Sequence, residues 1–572
     1  MTHKASSSFS SSNWYQVPVF ELFKTVVDAF PNKVAIKDNS CSLTYQQVYK
    51  KAVLLASNLN DGPDNEPVAI ALENTCMFPV AMLACLAVGR PYVGLDLNMP
   101  TERNEIILKL SGATTVVFDT ENPFKQAGKS KSVNIRELSN ANLSSFSGQG
   151  ASIAYIIYTS GSTGTPKGVY QNQQGLLHDV WQYIQSVNIG PEDRLTLLYS
   201  PSVNGAIRDI YGALLSGATL YIYDLRKNGF SMLEEFVSSN VITIFHSIPN
   251  IFRTFLAQSP SKKSLENIRL IYLAGDRIFN SDIELYRTFF QDFCRVYVGI
   301  GATEVATIYH QWFIDKGTDL KWPQLPVGYA VADRQMKIIT PNGKQAQAGQ
   351  TGEITVSSKY VSLGYWNDAA RTSEKFKQTA EGRTFYTGDL GMLDETDMLH
   401  YIGRNDGMVK KDGHRIETGE IEAIIMQLVE IEKCGVVLAT ESNNKLVAFV
   451  QTSKAVSEQS IKERIKSQLP SYMIPFRIIG VERFPISANF KTNYAELKRL
   501  AAEFLKTPDN YAERPIDPIK QVVFDSWSKV LGSHSFTENM SWKEAGGSSI
   551  EAINFMVEVE GALNVRFQED WI

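Results

Sequence analysis

Apolar positions along this chain switch between two periods. Over Val17–Phe30 they fall at helical spacing, and the runs Val34-Ala-Ile-Lys and Ser42-Leu-Thr-Tyr then predict a pair of strands. Tyr45–Leu59 returns to the helical period, Val68-Ala-Ile-Ala-Leu reads as a strand, Met77–Val88 as a helix and Pro91-Tyr-Val-Gly-Leu-Asp as the next strand. The pattern resumes with a strand at Ile153–Ile157, a helix at Gly175–Val187, a strand at Leu195–Tyr199 and a helix at Ile210–Leu215 ending at Gly217. Val241–His246 and Ile268–Leu273 are continuous apolar runs, the mark of strands covered on both faces. Strands that alternate with helices in this way predict an α/β architecture with largely parallel sheets sandwiched by helices. Towards the C-terminus, Ile416–Met426 reads as a helix, Lys445-Leu-Val-Ala-Phe-Val-Gln as a strand and Ile516–Leu531 as a helix. The polar stretches between are read as loops: residues 1–14 as a disordered start, 140–150 as a Ser/Asn/Gly-rich loop and 506–516 as a Pro/Asp/Asn linker.

Composition narrows the class. A chain of 572 residues is too long for one core, and its 44% hydrophobic and 20% charged residues are those of a globular protein of about three to four domains. The net charge of −5 argues against a general attraction to nucleic acid or to anionic membrane. The five cysteines, Cys41, Cys76, Cys85, Cys294 and Cys434, form no CxxC pair, so neither a disulfide framework nor a zinc site is indicated, which fits a reducing cytoplasm. Neither a signal-peptide apolar run nor the ~18 apolar residues of a membrane span is present in the sequence.

The most informative run is Tyr158-Thr-Ser-Gly-Ser-Thr-Gly-Thr-Pro-Lys-Gly168. Gly161, Gly164 and Gly168 let backbone approach a ligand, Thr159, Ser160, Ser162, Thr163 and Thr165 add hydroxyls, and Lys167 adds a cation. Backbone N–H groups, hydroxyls and one ammonium together suit a polyphosphate. The common nucleotide loop requires Ser or Thr after its Lys, whereas Gly168 follows Lys167 here. From its residues alone the run also reads as an ordinary polar surface loop. Further motifs lie downstream: Val296-Tyr-Val-Gly-Ile-Gly-Ala-Thr-Glu304, Gly352-Glu-Ile-Thr-Val, Tyr386-Thr-Gly-Asp-Leu390, Gly403-Arg-Asn-Asp406, the segment Val409 to Glu422, Leu469 to Pro475, and Pro485-Ile-Ser-Ala-Asn-Phe-Lys491. Singly, Glu304 reads as a solvated loop acid, Asp389 as a turn cap and Lys491 as a solubility residue. Trp542-Lys-Glu-Ala-Gly-Gly-Ser-Ser549 precedes a helical pattern, and Ser548 and Ser549 are both candidates for its N-cap.

Taken in order, together with Leu95-Asp-Leu-Asn-Met-Pro-Thr-Glu-Arg103, these motifs resemble the adenylate-forming superfamily of acyl-CoA synthetases, luciferases and nonribosomal peptide synthetase adenylation domains, over roughly residues 20–572. The resemblance implies that Thr159, Ser160, Gly161, Ser162, Thr163, Gly164 and Lys167 hold the phosphates of ATP. It implies that Thr303 meets the phosphate of the adenylate, that Glu304 ligates Mg²⁺, that Ile300 lies against adenine, that Asp389 binds the ribose and that Arg404 contacts ribose or phosphate. Lys491 would bridge carboxylate and α-phosphate, and Asp406 would be the hinge between a large and a small subdomain. The segment Val409–Glu422 resembles the one that faces the active site only during thioester formation. Four positions depart from the usual pattern: Leu97 stands for Pro, Ile300 for an aromatic residue, Phe490 for Gly and Ser548 for Asp.

The GGSS run resembles the signature of a thiolation (carrier) domain, with Ser549 as the attachment point for 4′-phosphopantetheine. The implied organisation is an adenylation N-terminal subdomain at 15–405, its C-terminal subdomain at 406–505, a linker at 506–516 and a carrier domain at 517–572. The chain ends at Ile572, short of a carrier's last helix or two, so that domain is expected to be incomplete. The implied partners are a phosphopantetheinyl transferase and downstream synthetase domains. Alignment on adenylation domains places Asn204, Gly205, Arg208, His246, Tyr272, Ala274, Gly299, Thr307 and Ile308 around the substrate. The expected substrate is a small carboxylic acid, either an amino acid or an analogue lacking the α-ammonium; Asn204 stands where amino-acid-activating members carry the Asp that pairs with that group, which favours a hydroxy, keto, aryl or dicarboxylic acid. Arg208 either turns inward to meet an anionic substrate, pairs with Asp209 or reaches solvent. Two other readings stand beside the synthetase unit, a stand-alone acyl- or aryl-CoA ligase and a degenerate, non-catalytic binding module.

Overall fold

The computed structural model describes residues 14–63, 65–121, 124, 131–138, 152–159, 165–276, 278–322, 325–380, 382–404, 408–411, 414–440, 444–452, 454, 456–485, 492–506, 517–531, 542 and 549–563. Among these residues two large sheets dominate. One has nine strands in the order Tyr329–Ala330, Thr307–Ile314, Arg295–Ala302, Leu270–Ala274, Ile244–Ser247, Arg194–Leu197, Thr219–Ile222, Val34–Lys37, Ser42–Thr44. Its interior pairs are parallel, and antiparallel pairs occur where Ser42–Thr44, Thr307–Ile314 and Tyr329–Ala330 join. The other has seven strands, in the order Gly364–Tyr365, Lys167–Asn172, Ile153–Thr159, Tyr92–Gly94, Val68–Ala71, Thr115–Phe118, Lys131–Asn134. The parallel strands are apolar on both faces because helices cover both, and Val68–Ala71 and Leu270–Ala274 are buried at every position.

The helix Met77–Ala87 is buried nearly all round, as its unbroken apolar sequence requires. It shares one core with the helices Val19–Ala29, Gln173–Val187 and Gly205–Leu214 and with strand residues of both sheets, among them Leu195, Leu220, Ile70 and Tyr155. A five-stranded sheet that includes Gly352–Ser358 and Gly382–Leu393 closes over one end, packing Ile354, Val356 and Phe385 against Val169 and Ile300. Two smaller cores lie in the C-terminal part, where the strands Ile431–Ala439, Lys445–Thr452 and Arg477–Gly480 pack the helices Thr418–Ile425 and Glu458–Ile465 in one cluster and Tyr494–Lys506 in the other. Beyond it the helices Pro518–Leu531 and Ser549–Leu563 pack together around Trp527, Trp542 and Phe555, with ring centroids 5.0–5.3 Å apart. Among the described residues no helix is long and apolar enough to cross a membrane.

Most predicted elements stand within a few residues of their expected bounds, and the α/β class with mixed sheets, a large N-terminal part and a smaller C-terminal part holds. Three corrections are physical. Trp14, expected at the end of the disordered start, lies in a short 3-10 turn, Trp14–Gln16, and is buried in the main core; residues 1–13 lie outside the described ones. The helix expected from Ile210 starts at Gly205, because its polar Arg208 and Asp209 are buried and paired and so do not mark a loop. Ile416 and Glu417 belong to a strand, His414–Glu417, that pairs with Met408–Lys411, and the helix begins at Thr418. The expected loop at 140–150 and residues 507–516 of the linker lie outside the described residues.

Candidate active site

The antiparallel strands Ile153–Thr159 and Lys167–Asn172 bracket the Gly/Ser/Thr run and bring Thr159 opposite Lys167. Ser160, Gly161, Ser162, Thr163 and Gly164 lie outside the described residues. The strand Arg295–Ala302 ends in the 3-10 turn Thr303–Val305, which presents Thr303 half-buried and Glu304 fully buried. That turn is tightly built. Ala306, which follows it, holds φ at +69°, and a Cβ on Gly301 would stand 1.8 Å from the Thr307 carbonyl oxygen, so only glycine fits there.

Lys167 and Glu304, 137 positions apart in sequence, meet here. Lys167 Nζ lies 3.6 Å from Glu304 Oε1, and the Tyr365 hydroxyl donates to the same carboxylate at 3.0 Å. A second carboxylate, Glu417 Oε1, accepts from Lys167 Nζ at 3.3 Å. The Thr159 hydroxyl is shielded from solvent and has no hydrogen-bond partner among the described residues. A buried cation flanked by carboxylates beside an unpartnered hydroxyl fits a phosphate and the divalent cation that accompanies it. Among the described residues no group of three or more His, Cys, Asp or Glu could hold a metal.

Ile300 is buried beside Val169, Val305 and Tyr309. Asp389 is buried in the strand Gly382–Leu393, its N–H donating to Thr387 Oγ1 at 2.9 Å, and it registers opposite Arg404 at the end of Leu399–Arg404. Asp406 and Lys491 lie outside the described residues, as does Ser548; Ser549 is the first residue of the helix Ser549–Leu563.

Of the nine predicted pocket residues, His246, Tyr272, Ala274 and Gly299 lie on adjacent parallel strands, Thr307 and Ile308 open the antiparallel strand next to them, and Asn204, Gly205 and Arg208 lie at the start of one helix. Strand register places His246 beside Tyr272, Ala274 beside Gly299, and Thr307 and Ile308 opposite Ala302 and Gly301. Asn204 precedes the helix that Gly205 opens, its amide nitrogen 3.5 Å from Thr307 Oγ1 and its buried Oδ1 without a partner among the described residues. The His246 ring stacks on Tyr272 at 3.7 Å.

Arg208 corrects the sequence reading. It neither pairs with Asp209 nor reaches solvent: its Nε and Nη2 donate to Asp179 at 3.0 and 2.8 Å, and its Nη1 donates to the Tyr297 hydroxyl at 3.0 Å. Asp209 is taken by His246, with Nδ1 to Oδ2 at 2.7 Å. Arg334 donates to the same Asp179 at 3.2 Å and to the Val305 carbonyl, so this buried cluster ties the pocket helix to the turn that bears Glu304. Burial alone would raise the Asp179 carboxyl, but the Arg208 and Arg334 guanidiniums outweigh it and hold it below the usual carboxylate range. Burial raises Asp209, and His246 and Arg208 only partly offset it. Arg208, with both carboxylate oxygens, is pushed up despite burial; Arg334, with one oxygen and a facing guanidinium, is pushed down by burial.

Sequence reasoning misses Asp179 and Arg334. Asp179 carries a usable signal, because Leu176 and Tyr183 share its face of the helix Gln173–Val187, and a charge on an apolar face demands a partner.

The AMP-binding enzyme family model matches residues 23–366, and that of the AMP-binding enzyme C-terminal domain matches residues 420–491. Bacitracin synthase 1 of Bacillus licheniformis is 28% identical over 566 residues, 96% of this chain and 10% of that protein. Tyrocidine synthase 1 of Brevibacillus parabrevis is 27% identical over 562 residues, 95% of this chain and 50% of that protein. The chain thus spans half or less of the length of these two relatives. Among solved structures, PA1221, an NRPS protein containing adenylation and PCP domains and bound to a vinylsulfonamide inhibitor, shares the fold at a TM-score of 0.82 and 23% identity, covering 96% of this chain and 93% of that one. o-Succinylbenzoate CoA synthetase of Bacillus subtilis shares it at 0.75 and 20%, covering 83% of this chain and 97% of that one. With both family models matched in order, the chain belongs to the AMP-binding enzymes and is an AMP-forming ligase.

Proposed function

We propose that this ligase activates a carboxylic acid lacking a free α-ammonium as its acyl-adenylate and passes the acyl group to a 4′-phosphopantetheine thiol on Ser549, as part of a nonribosomal peptide synthetase. A carboxylate cannot lose oxide, so its oxygen attacks the α-phosphorus of ATP and pyrophosphate leaves; the thiol sulfur then attacks the carbonyl carbon and AMP leaves. The protein's share is positioning and charge. Lys167 and Thr159 hold phosphate, Glu304 holds Mg²⁺ against it, Asp389 accepts from the ribose hydroxyls, and Lys491 bridges the reacting groups. The observation that carries the reading is the meeting of Lys167 and Glu304, 3.6 Å apart, beside the unpartnered hydroxyl of Thr159.

The acid side of the site supports a neutral α-substituent. Asn204 offers an uncharged acceptor next to the hydroxyl-bearing Thr307. Arg208 is spent on Asp179, which removes the case for a second carboxylate on the substrate and leaves hydroxy, keto and aryl acids. Residues 15–405 would form the large catalytic subdomain and 406–505 the small one. Residues 517–572 would be carrier sequence, with Ser549 at the start of a helix as a modification site needs. The similarity to two peptide synthases and to an adenylation–PCP protein supports the carrier assignment over a free CoA acceptor.

A pyrophosphate-exchange panel tests the reading. Exchange is expected with a hydroxy, keto or aryl acid, and lost by at least about tenfold in Glu304→Gln. Strong exchange with one standard L-amino acid and none with such acids would refute the substrate class. Intact-mass analysis after treatment with a phosphopantetheinyl transferase and CoA tests the carrier, which fails if Ser549 gains no mass.

A further inference from the structure

The fold brings together two cysteines that stand 35 positions apart. Cys41 lies in the connection between the strands Val34–Lys37 and Ser42–Thr44, at the edge of the nine-stranded sheet. Cys76 immediately precedes the helix Met77–Ala87, which follows the strand Val68–Ala71 of the seven-stranded sheet. The Cys76 thiol donates to the Cys41 carbonyl oxygen at 3.5 Å and is in side-chain contact with the Cys41 thiol. One carboxylate fixes both backbones: Asp38 Oδ1 accepts from the Cys41 N–H and Oδ2 from the Cys76 N–H, each at 2.7 Å. The two thiols differ in access. Cys41 is half-buried, whereas Cys76 is sealed in the main core. Burial, with the Asp38 carboxylate and the Cys41 thiol adding to it, pushes the Cys76 thiol well up, so it stays protonated.

We propose that Cys41 and Cys76 are a reversible oxidation site, at which a hydroperoxide converts the two thiols to a disulfide that ties the edge hairpin of one sheet to the core helix leading from the other. The half-exposed sulfur reacts first. Cys41 sulfur attacks one oxygen of hydrogen peroxide, the O–O bond breaks, water leaves, and Cys41 carries a sulfenic acid. Cys76 sulfur then attacks Cys41 sulfur, the S–O bond breaks, and hydroxide leaves as water with the Cys76 proton. Two thiols have lost two electrons, and one peroxide has become two waters. Glutathione runs the change backwards. One thiol attacks the Cys41 sulfur and frees Cys76; a second attacks the glutathione sulfur of the mixed disulfide, frees Cys41 and departs as glutathione disulfide. A bond with one accessible sulfur is transient in a reducing compartment, which suits a sensor of oxidant rather than a permanent staple.

The test treats the native full chain with hydrogen peroxide, removes the excess with catalase, blocks the remaining thiols with iodoacetamide in denaturant, and reads the non-reduced digest by mass spectrometry. The expected product is a single joined pair of peptides, bearing Cys41 and Cys76 and lighter by two hydrogens, from which reduced glutathione recovers both thiols together. In Cys76→Ser, Cys41 should stop at the sulfenic acid and be trapped by dimedone. In Cys41→Ser, Cys76 should oxidise at least about tenfold more slowly, because it is shielded from peroxide. Closing a loop of 35 positions on a pair already in contact should raise the Tm of the oxidised chain by roughly 3–5 °C. Oxidised Cys41 beside a Cys76 that iodoacetamide still blocks would overturn the proposal. So would equal cross-linking to Cys85, Cys294 or Cys434, or a Tm that falls on oxidation, since the bond would then form only by distorting the fold. The unsubstituted chain decides whether or not either serine variant folds.

Discussion

Replacing Asp179 with Asn should be among the most destabilising single changes available in the large part. The carboxylate takes Arg208 on both oxygens, at 2.8 and 3.0 Å, and Arg334 on one, at 3.2 Å, all three side chains being sealed from solvent. Asn keeps the volume and removes the charge, leaving two buried guanidiniums without their anion. Breaking a buried pair by removing one partner costs about 3–5 kcal/mol. At ~2.1 cal/mol/K per residue, a unit of about 390 residues unfolds with an entropy of ~0.8 kcal/mol/K, so Tm should fall by roughly 4–6 °C. Arg208→Met is the internal comparison. It leaves Asp179 still paired with Arg334 and forfeits chiefly hydrogen bonds, including that to Tyr297, at about 1–3 kcal/mol, so its Tm should fall by less than that of Asp179→Asn. The double variant should cost less than the sum, because the substituted asparagine then strands one arginine instead of two. Scanning calorimetry of the four proteins decides. An Asp179→Asn variant no less stable than Arg208→Met, or strictly additive costs, would refute the claim that one carboxylate neutralises both arginines.

Three further expectations rest on particular atoms. Gly301→Ala puts a methyl 1.8 Å from the Thr307 carbonyl oxygen, so the turn bearing Thr303 and Glu304 must move; pyrophosphate exchange should fall at least about tenfold, and unchanged exchange would show that the turn is slack. Thr159→Val removes a hydroxyl that no described residue bonds, so stability should stay within about 0.5 kcal/mol while ATP binding weakens several-fold, whereas a loss of Tm with unchanged ATP affinity would assign the hydroxyl to the fold. Burial lowers His178, His310 and His414 to about 4, 3 and 4, so each binds its proton more readily unfolded, where the pKa is about 6.5. Their stabilisation is whole above about pH 6.5 and is lost as pH falls towards the native values; going from pH 7 to 5 should cost on the order of 1–2 kcal/mol per histidine, and an unchanged urea midpoint would contradict it.

What could be read before any coordinates was whatever the chain states locally. Period and burial go together: Val68–Ala71 is apolar at every position because both faces of its sheet are covered, and the helix Met77–Ala87 is apolar all round because it lies inside. The glycine-rich run was legible for a similar reason, since its glycines, hydroxyls and lysine stand in consecutive positions. Charge partners were not legible, because a partner is a fact about tertiary distance. Arg208 could have met a substrate anion, Asp209 or water, and it met Asp179 on another helix, 29 positions upstream. That outcome changes the function inferred, not only the packing. An unpaired arginine in the acid pocket would have selected a dianionic substrate; a neutralised one is a brace, and through Arg334 it braces the turn that carries Glu304. The same holds for Glu417. In sequence it is one acid in a charged segment, and only tertiary distance brings its carboxylate to Lys167.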